Sequence, residues 1–272
     1  MTYDLAAMAK RAGDNRSTIT LRAIYPTKAL TEDLSRIYMR VVRAWRDAAQ
    51  SLILPAYSRS IAEVTRDGLT RDDTPDIEAE IVRAEAQAQA VIASLTIGVQ
   101  AWEAQMNRWH ADKFASAVAA GASIDVELLM SGETTREALR AFLAENTNLI
   151  SSVSQETKTR IAGMVWRGYL ARTPRREIAK EINKALGMAR DRALRIAVDQ
   201  TTRLAAKLDE LREREAGIKA YRWRHSGKTH YRPEHKARNG KIIRWDKPPA
   251  DGHYGTLPFC GCKGAPVLEL DE

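Results

Sequence analysis

The sequence has no long apolar run, and it contains only two cysteines among 272 residues. No stretch of 18 apolar residues is present, so a transmembrane helix is not expected. The N-terminus lacks the basic segment followed by an apolar segment that marks a secretory signal. Cys260 and Cys262 are too few for a disulfide framework and too close in sequence for an ordinary bridge. These absences predict a protein that folds in a reducing cytosol and has no membrane anchor.

Sequence signatures of catalysis are also missing. The chain contains neither a G-x-S-x-G nucleophile motif nor a glycine-rich phosphate-binding loop. The Cys260-x-Cys262 pair has none of the local signatures of redox or nucleophilic cysteines. With 44% hydrophobic and 29% charged residues, the chain is nevertheless typical of a globular protein with a real core. We therefore predict a folded protein that is not an enzyme.

Positive charge is concentrated in the second half of the chain. The formal net charge is +8, yet residues 1–150 contain 17 basic and 20 acidic residues, whereas residues 151–272 contain 26 and 15. Between positions 219 and 247 there are 10 basic and 2 acidic residues. This concentration indicates a polyanion as partner or neighbour. The alternative is a solvated basic face without a dedicated ligand.

Most of the chain has helical periodicity. Apolar residues from Ile77 to Trp109 recur in steps of three and four, which predicts a long helix with a packing seam. His110 lies beside this stripe, and we expect it at the surface. Gly187 sits where a glycine commonly ends a helix, so it predicts a break between two helices. A short strand is predicted over residues 17–24.

The last quarter of the chain changes character and predicts strands. Residues 218–224 alternate so that Tyr221 and Trp223 share one face. Asn239-Gly240 before a short apolar run is a strong hairpin signal, because both residues tolerate positive φ. Residues 258–262 are a candidate last strand. The predicted fold is mainly α: a long-helix N-terminal region and a helical bundle, followed by a small α+β module with a β-hairpin.

These patterns divide the chain into four regions along the sequence. The predicted regions are a flexible arm (1–16), a helical N-terminal assembly region (17–150), a basic helical region (151–216) and the small α+β module (217–272).

Both cysteines and four of the five histidines lie between positions 225 and 262. Zn²⁺ takes four nitrogen or sulfur ligands, although its structural sites usually contain a C-x₂₋₄-C pair rather than C-x-C. Cys260 and Cys262 together with two of the four histidines form a candidate zinc site, for which we select His230 and His235. The alternative is that the thiols pack as small apolar groups and the histidines bind loop backbone, in which case no cofactor is present.

A metal-dependent nuclease is a further alternative for the same stretch. His230, His235 and Asn239 superficially resemble the histidine and asparagine residues of a nuclease finger. Such a site needs a paired general base and metal-holding groups on a defined hairpin and helix. The order of residues and their flanks fit this arrangement poorly, so the nuclease hypothesis is disfavoured.

Several motifs of the C-terminal half occur together in one order. The first is the helix 195–201, followed by residues 217–223. The second runs from Arg232-Pro233-Glu234-His235 to Asn239-Gly240-Lys241 and Trp245-Asp246. The third is Leu257-Pro258-Phe259-Cys260-Gly261-Cys262. In combination they resemble the phage head-morphogenesis family, the minor head proteins related to protein F of phage Mu, over residues 148–266.

The resemblance implies a structural minor head protein associated with the portal or capsid. Such a protein assists head assembly and DNA packaging or delivery, in the virion and in the host cytoplasm during assembly. Its partners would be portal or capsid proteins, packaged DNA by proximity and, as an open option, copies of itself. A zinc-stabilised nucleic-acid-binding module is the alternative function. The candidate phosphate contacts are the basic residues of the C-terminal module: Arg222, Arg224, Lys228, Arg232, Lys236, Arg238, Lys241 and Arg244.

Overall fold

The computed structural model describes residues 3–67, 75–126 and 133–270. It confirms a mainly helical protein that ends in a small antiparallel sheet. In chain order its elements are α1 (Leu5–Arg11), β1 (Thr18–Thr20), α2 (Lys28–Ala48), α3 (Leu54–Asp67), α4 (Pro75–Ala122), α5 (Glu133–Leu170), α6 (Arg175–Glu215), β2 (Ala220–Arg224), α7 (Pro233–Ala237), β3 (Ile242–Arg244) and β4 (Lys263–Glu269). None of the helices in the described ranges is long and apolar enough to cross a membrane.

The sheet has four antiparallel strands in the order β1-β4-β2-β3. Strand β4 pairs with β2 through Tyr221↔Pro266 and with β1 through Ile19↔Leu268. It therefore lies in the interior of the sheet, although it contains a glycine and a proline, residue types that are depleted in strands. The carbonyl of Pro266 accepts a hydrogen bond from the Leu21 amide at 2.8 Å, which extends the pairing beyond β1.

Contacts between Cα atoms divide the chain into two compact units. The sheet unit consists of residues 1–31, 101–142 and 198–272, and the helical unit consists of residues 32–100 and 143–197. Each unit is assembled from segments that are far apart in sequence, and the unit limits fall inside α2, α4, α5 and α6. The linear limits predicted at residues 16, 150 and 216 remain predictions.

The core of the helical unit contains neutral hydrogen bonds between buried side chains. The Trp45 indole N–H donates to the Ser154 hydroxyl at 2.8 Å, and the Tyr38 hydroxyl donates to the Asn146 amide oxygen. All four side chains are buried. Burying polar groups in matched pairs avoids the cost of leaving a donor or acceptor without a partner.

The sheet unit has two apolar clusters. One joins α1, the β1 region and the end of α4 to the sheet, and it includes Leu5, Leu21, Phe114 and Leu268. The other lies under β2 and contains the aromatic residues described below. Helix α1 occupies much of the segment predicted as a flexible arm, because Leu5 and Ala9 supply an apolar face that the first cluster buries.

Three local predictions differ from the structure. Helix α6 runs uninterrupted through Gly187, because a glycine in a helix interior costs only about 1 kcal/mol and packing outweighs that cost. The last strand is β4 (Lys263–Glu269) instead of residues 258–262, so the prediction was displaced along the chain. Strands β2 and β3 pair as predicted, but the connection contains α7, and Gly240 with φ of +84° closes a loop instead of a two-residue turn.

Candidate functional site

An aromatic cluster beneath strand β2 forms the floor of the candidate site. The Tyr221 ring lies 4.6 Å from the Trp245 ring and 4.8 Å from the Tyr254 ring, measured between centroids. Trp223 is completely buried beside them, so Tyr221 and Trp223 share the buried face as predicted. Cys260 and Cys262 belong to the same cluster. The cysteines therefore lie in a rigid, apolar environment.

His235 meets the two cysteines at the edge of this cluster. Its Nδ1 atom is 3.5 Å from the Cys260 sulfur and 3.7 Å from the Cys262 sulfur. The ligand atoms of the three side chains all lie within 4.8 Å of one another, and each residue is only 3% exposed. Helix α7 supplies the histidine and the loop before β4 supplies both cysteines.

The opposite nitrogen of His235 is held by Asp251. The Nε2 atom lies 3.1 Å from Asp251 Oδ2, and Arg238 forms an ion pair of 2.6 Å with the other carboxylate oxygen. Burial raises the pKa of Asp251, but the hydrogen bond and charge of Arg238 outweigh it and leave that pKa below its ordinary value. An ionised carboxylate only accepts hydrogen bonds, so Nε2 carries a hydrogen and donates it to Asp251, and Nδ1 faces the two sulfurs.

The side chains of the two cysteines are hydrogen-bonded to each other, and this bond shifts their pKa values in opposite directions. A hydrogen bond from the Cys262 thiol lowers the pKa of Cys260 to about 5, against the opposing effect of burial. The backbone amides of Gly255 and Cys262 also donate to the Cys260 sulfur. The pKa of Cys262 is raised because the same bond retains its proton.

The loop that carries the cysteines is anchored by helix α6. Phe259 has φ of +60°, a left-handed conformation that is uncommon for a bulky residue. The Phe259 amide donates to the Asp199 carboxylate, which lies in the helical motif 195–201. Two of the motifs that carry the family resemblance therefore contact each other directly.

A buried ionic network lies in the same compact unit. The His110 Nε2 atom is 2.8 Å from Asp209 Oδ1, and Arg212 donates to His110 Nδ1 at 2.8 Å. The Lys263 ammonium lies 3.6 Å from the second oxygen of Asp209, an ion pair beyond hydrogen-bonding distance. Burial lowers the pKa of His110 and of Lys263. The expectation that His110 is a surface residue was wrong, because the side chain is fully buried.

The basic residues of the C-terminal module differ in their availability to a partner. Arg224, Lys228, Lys236 and Lys241 are exposed. The guanidinium groups of the remaining four are partly buried and bind protein groups. Arg238 pairs with Asp251, Arg244 with Asp246, Arg222 donates to the Gly240 carbonyl and Arg232 to the Pro258 carbonyl.

The structure brings together three of the four metal ligands selected from the sequence. His230 lies outside the group of His235, Cys260 and Cys262, and its side chain is exposed. His253 binds the Tyr221 hydroxyl through Nδ1 at 3.0 Å instead. The spacing of residues along the sequence could not show which of these histidines lies beside the cysteines. The sequence did not indicate Asp251 as the partner of His235. The contact forms only when the loop that carries Asp251 folds against helix α7.

Comparisons with known proteins agree with this arrangement of motifs. Residues 156–265 match the family model described as Phage Mu protein F like protein. The predicted relationship to the phage head-morphogenesis family is therefore confirmed for this segment, which contains the sequence motifs described above.

One relative extends the similarity. Over 145 residues, 53% of the chain, the sequence is 30% identical to an uncharacterized protein of Haemophilus influenzae. The aligned part spans 32% of that relative's length. No solved structure matches the chain.

Proposed function

We propose that this protein is a minor head protein of a phage, a structural component that binds portal or capsid proteins and assists head assembly and DNA packaging or delivery. The observation that carries the proposal is the family match over residues 156–265. The contact between Asp199 and the Phe259 amide supports it, because the motifs of the family cooperate in one folded module.

Exposed apolar residues on the helices support a role in protein–protein assembly. In the helical unit, Ile97 is 76% exposed and Leu170 is 81% exposed. Scattered apolar residues are normal on any surface, but side chains this large and this exposed are typical contact points for a partner. Portal and capsid proteins are the partners that the family suggests.

Exposed cations support a position close to packaged DNA. Arg224, Lys236 and Lys241 are exposed to solvent and offer positive charge to a phosphate backbone. Contacts of this kind bind phosphates without reading sequence, and they suit a protein that lies against a densely packed duplex.

A nuclease activity is not part of the proposal. Any metal held by His235 and the two cysteines would be enclosed, since each of these residues is 3% exposed. A phosphodiester needs direct access to a catalytic metal and to a general base. The structural role of the family also fits a protein without turnover.

The test is quantitative mass spectrometry of procapsids and mature particles from the phage that encodes this chain. We expect the protein in procapsids together with the portal protein, and we expect particles made without it to be fewer or deficient in DNA. Absence from both particle types, with normal yield of filled heads after deletion, would overturn the proposal.

Proximity to DNA is tested separately by the salt dependence of binding to a nonspecific duplex. The double variant Lys236→Gln/Lys241→Gln should reduce the slope of log K against log salt by about 2, because each phosphate contact contributes about 0.9. Lys184→Gln, which changes an exposed lysine of the helical unit, is the matched control and should leave the slope unchanged. Equal slopes for all three proteins would contradict a role of these cations in DNA contact.

A further inference from the structure

The spacing of the ligand atoms around His235 is the spacing of a tetrahedral metal site. Zinc binds cysteine sulfur at about 2.3 Å and histidine nitrogen at about 2.0–2.1 Å, so a tetrahedral angle places nitrogen and sulfur about 3.5 Å apart. The observed distances from His235 Nδ1 are 3.5 Å to Cys260 and 3.7 Å to Cys262. Both distances agree with a cation held by the nitrogen and the two sulfurs, and all three ligand atoms lie within 4.8 Å of one another.

A hydrogen-bonded cluster accounts less well for the same geometry. The Nδ1 atom of His235 has either one hydrogen or one lone pair, so it can form one ordinary hydrogen bond, as donor or as acceptor. Two sulfurs nevertheless converge on that nitrogen. A cation between the three atoms uses the lone pair and both sulfurs at once.

The surroundings of the three ligands are those of a metal–thiolate site. Asp251 orients His235 through its second nitrogen, the arrangement by which carboxylates fix metal-binding histidines. The Trp223 ring packs edge-on against the histidine with centroids 5.1 Å apart, so the ring cannot turn freely.

We propose that His235 Nδ1, Cys260 Sγ and Cys262 Sγ bind one Zn²⁺ ion and that a water molecule completes the tetrahedron. Thiolate and imidazole donors favour zinc over magnesium, calcium or manganese, which prefer oxygen ligands. The ion links helix α7, which carries His235, to the loop before β4, which carries both cysteines. Its role is to hold this part of the module together.

The proposal does not depend on the function in the phage head. The primary experiment is metal analysis by mass spectrometry of the full-length protein, produced without a metal-affinity tag and purified without chelator. We expect one zinc per chain. Replacement of zinc by cobalt should produce the visible and near-ultraviolet bands of tetrahedral cobalt–thiolate ligation, which a packed thiol cluster cannot produce.

Variants separate the ligands from their neighbours. Cys260→Ser/Cys262→Ser and His235→Ala should lose the zinc and the cobalt bands, whereas His230→Ala, the matched exposed histidine, should retain both. Asp251→Asn should lower zinc affinity by about 10–100-fold while retaining the cobalt bands at saturating metal. Zinc loss in His230→Ala together with zinc retention in His235→Ala would overturn the assignment.

Two measurements on the unaltered protein keep the test independent of whether the variants fold. Removal of zinc by a chelator should speed the reaction of the two thiols with a disulfide reagent and lower the unfolding temperature. Addition of zinc should reverse both effects. Absence of stoichiometric zinc together with absence of cobalt–thiolate bands would overturn the proposal, and the head-protein proposal would still be decided by the particle analysis.

Discussion

The two compact units bury polar groups in different ways. Among the described residues, the buried polar side chains of the helical unit are neutral apart from Glu80, and they include the matched pairs of Trp45 with Ser154 and of Tyr38 with Asn146. The sheet unit instead buries ionisable groups: Glu103, His110, Asp199, Asp209, Arg212, Glu213, His235 and Lys263. Buried charges seldom add stability compared with apolar residues of the same size.

The two units therefore differ in the desolvation cost of their buried polar groups. Neutral pairs such as Trp45 with Ser154 are sufficient to build a helical core. The network around Asp209 and the group around His235 are costly to bury, and both lie in the unit that contains the motifs around Asp199 and Cys260. We infer that buried polar contacts determine the structure of the sheet unit, whereas apolar packing determines the structure of the helical unit.

The largest effect should come from removing the centre of the ionic network. Asp209→Ala leaves Lys263 and His110 buried without their anionic partner, which should reduce the free energy of unfolding by about 3–5 kcal/mol. Denaturant unfolding followed by circular dichroism measures the change. Glu181→Ala, which breaks an exposed pair with Lys184, is the control and should cost less than about 1 kcal/mol. Similar losses of free energy of unfolding in both variants would contradict the inferred difference between the two units.

A pair of glycine substitutions tests packing in the two units. A Cβ atom at Gly264 would lie 2.4 Å from a ring carbon of buried Tyr254, so Gly264→Ala should destabilise by about 1–3 kcal/mol or more. A Cβ atom at Gly187 meets no atom within 4 Å, and Gly187→Ala in the interior of α6 should stabilise by about 0.5–1 kcal/mol. Thermal unfolding of both variants provides the comparison, and shifts of the same sign would contradict it.

Each neutral hydrogen-bonded pair of the helical unit should contribute only modestly to the free energy of unfolding. Ser154→Ala leaves the Trp45 indole N–H buried without an acceptor, for an expected loss of about 1–3 kcal/mol. The matched control is Ser94→Ala on the exposed side of α4, with an expected change of about 0.5 kcal/mol or less. A loss in Ser154→Ala as large as that in Asp209→Ala would show that neutral and ionic pairs contribute alike.

A pH-dependent effect concerns Glu103, a residue that is only 3% exposed. Burial raises its pKa from 4.5 to about 8. Between these two values the folded protein retains a proton that the unfolded chain releases, so the free energy of unfolding should fall as pH rises from about 4.5 to about 8. Glu103→Gln should flatten that dependence when stability is measured across this range. A slope unchanged by the substitution would assign the dependence to other groups.

Local sequence patterns predicted much of the secondary structure. The apolar period between Ile77 and Trp109 lies within the single helix α4, and alternation around Tyr221 predicted strand β2. The predicted strand near residue 19 is confirmed as β1. These features follow from neighbours in sequence, since a helix or strand face must be apolar wherever it is buried. The family relationship also follows from motif order alone.

Contacts between side chains that are distant in sequence depend on the tertiary structure. Strand β4 contains a glycine and a proline, so its interior place in the sheet depends on pairing with β1 and β2 instead of local propensity. His110 is buried because Asp209 and Arg212 lie opposite it, about a hundred positions along the chain. His235 meets Cys260 and Cys262 while His230 does not, although both histidines have similar sequence separations from the cysteines. The local sequence determines the apolar periodicity of each helix and strand. Long-range contacts depend on how whole elements pack together, and no local pattern encodes that packing.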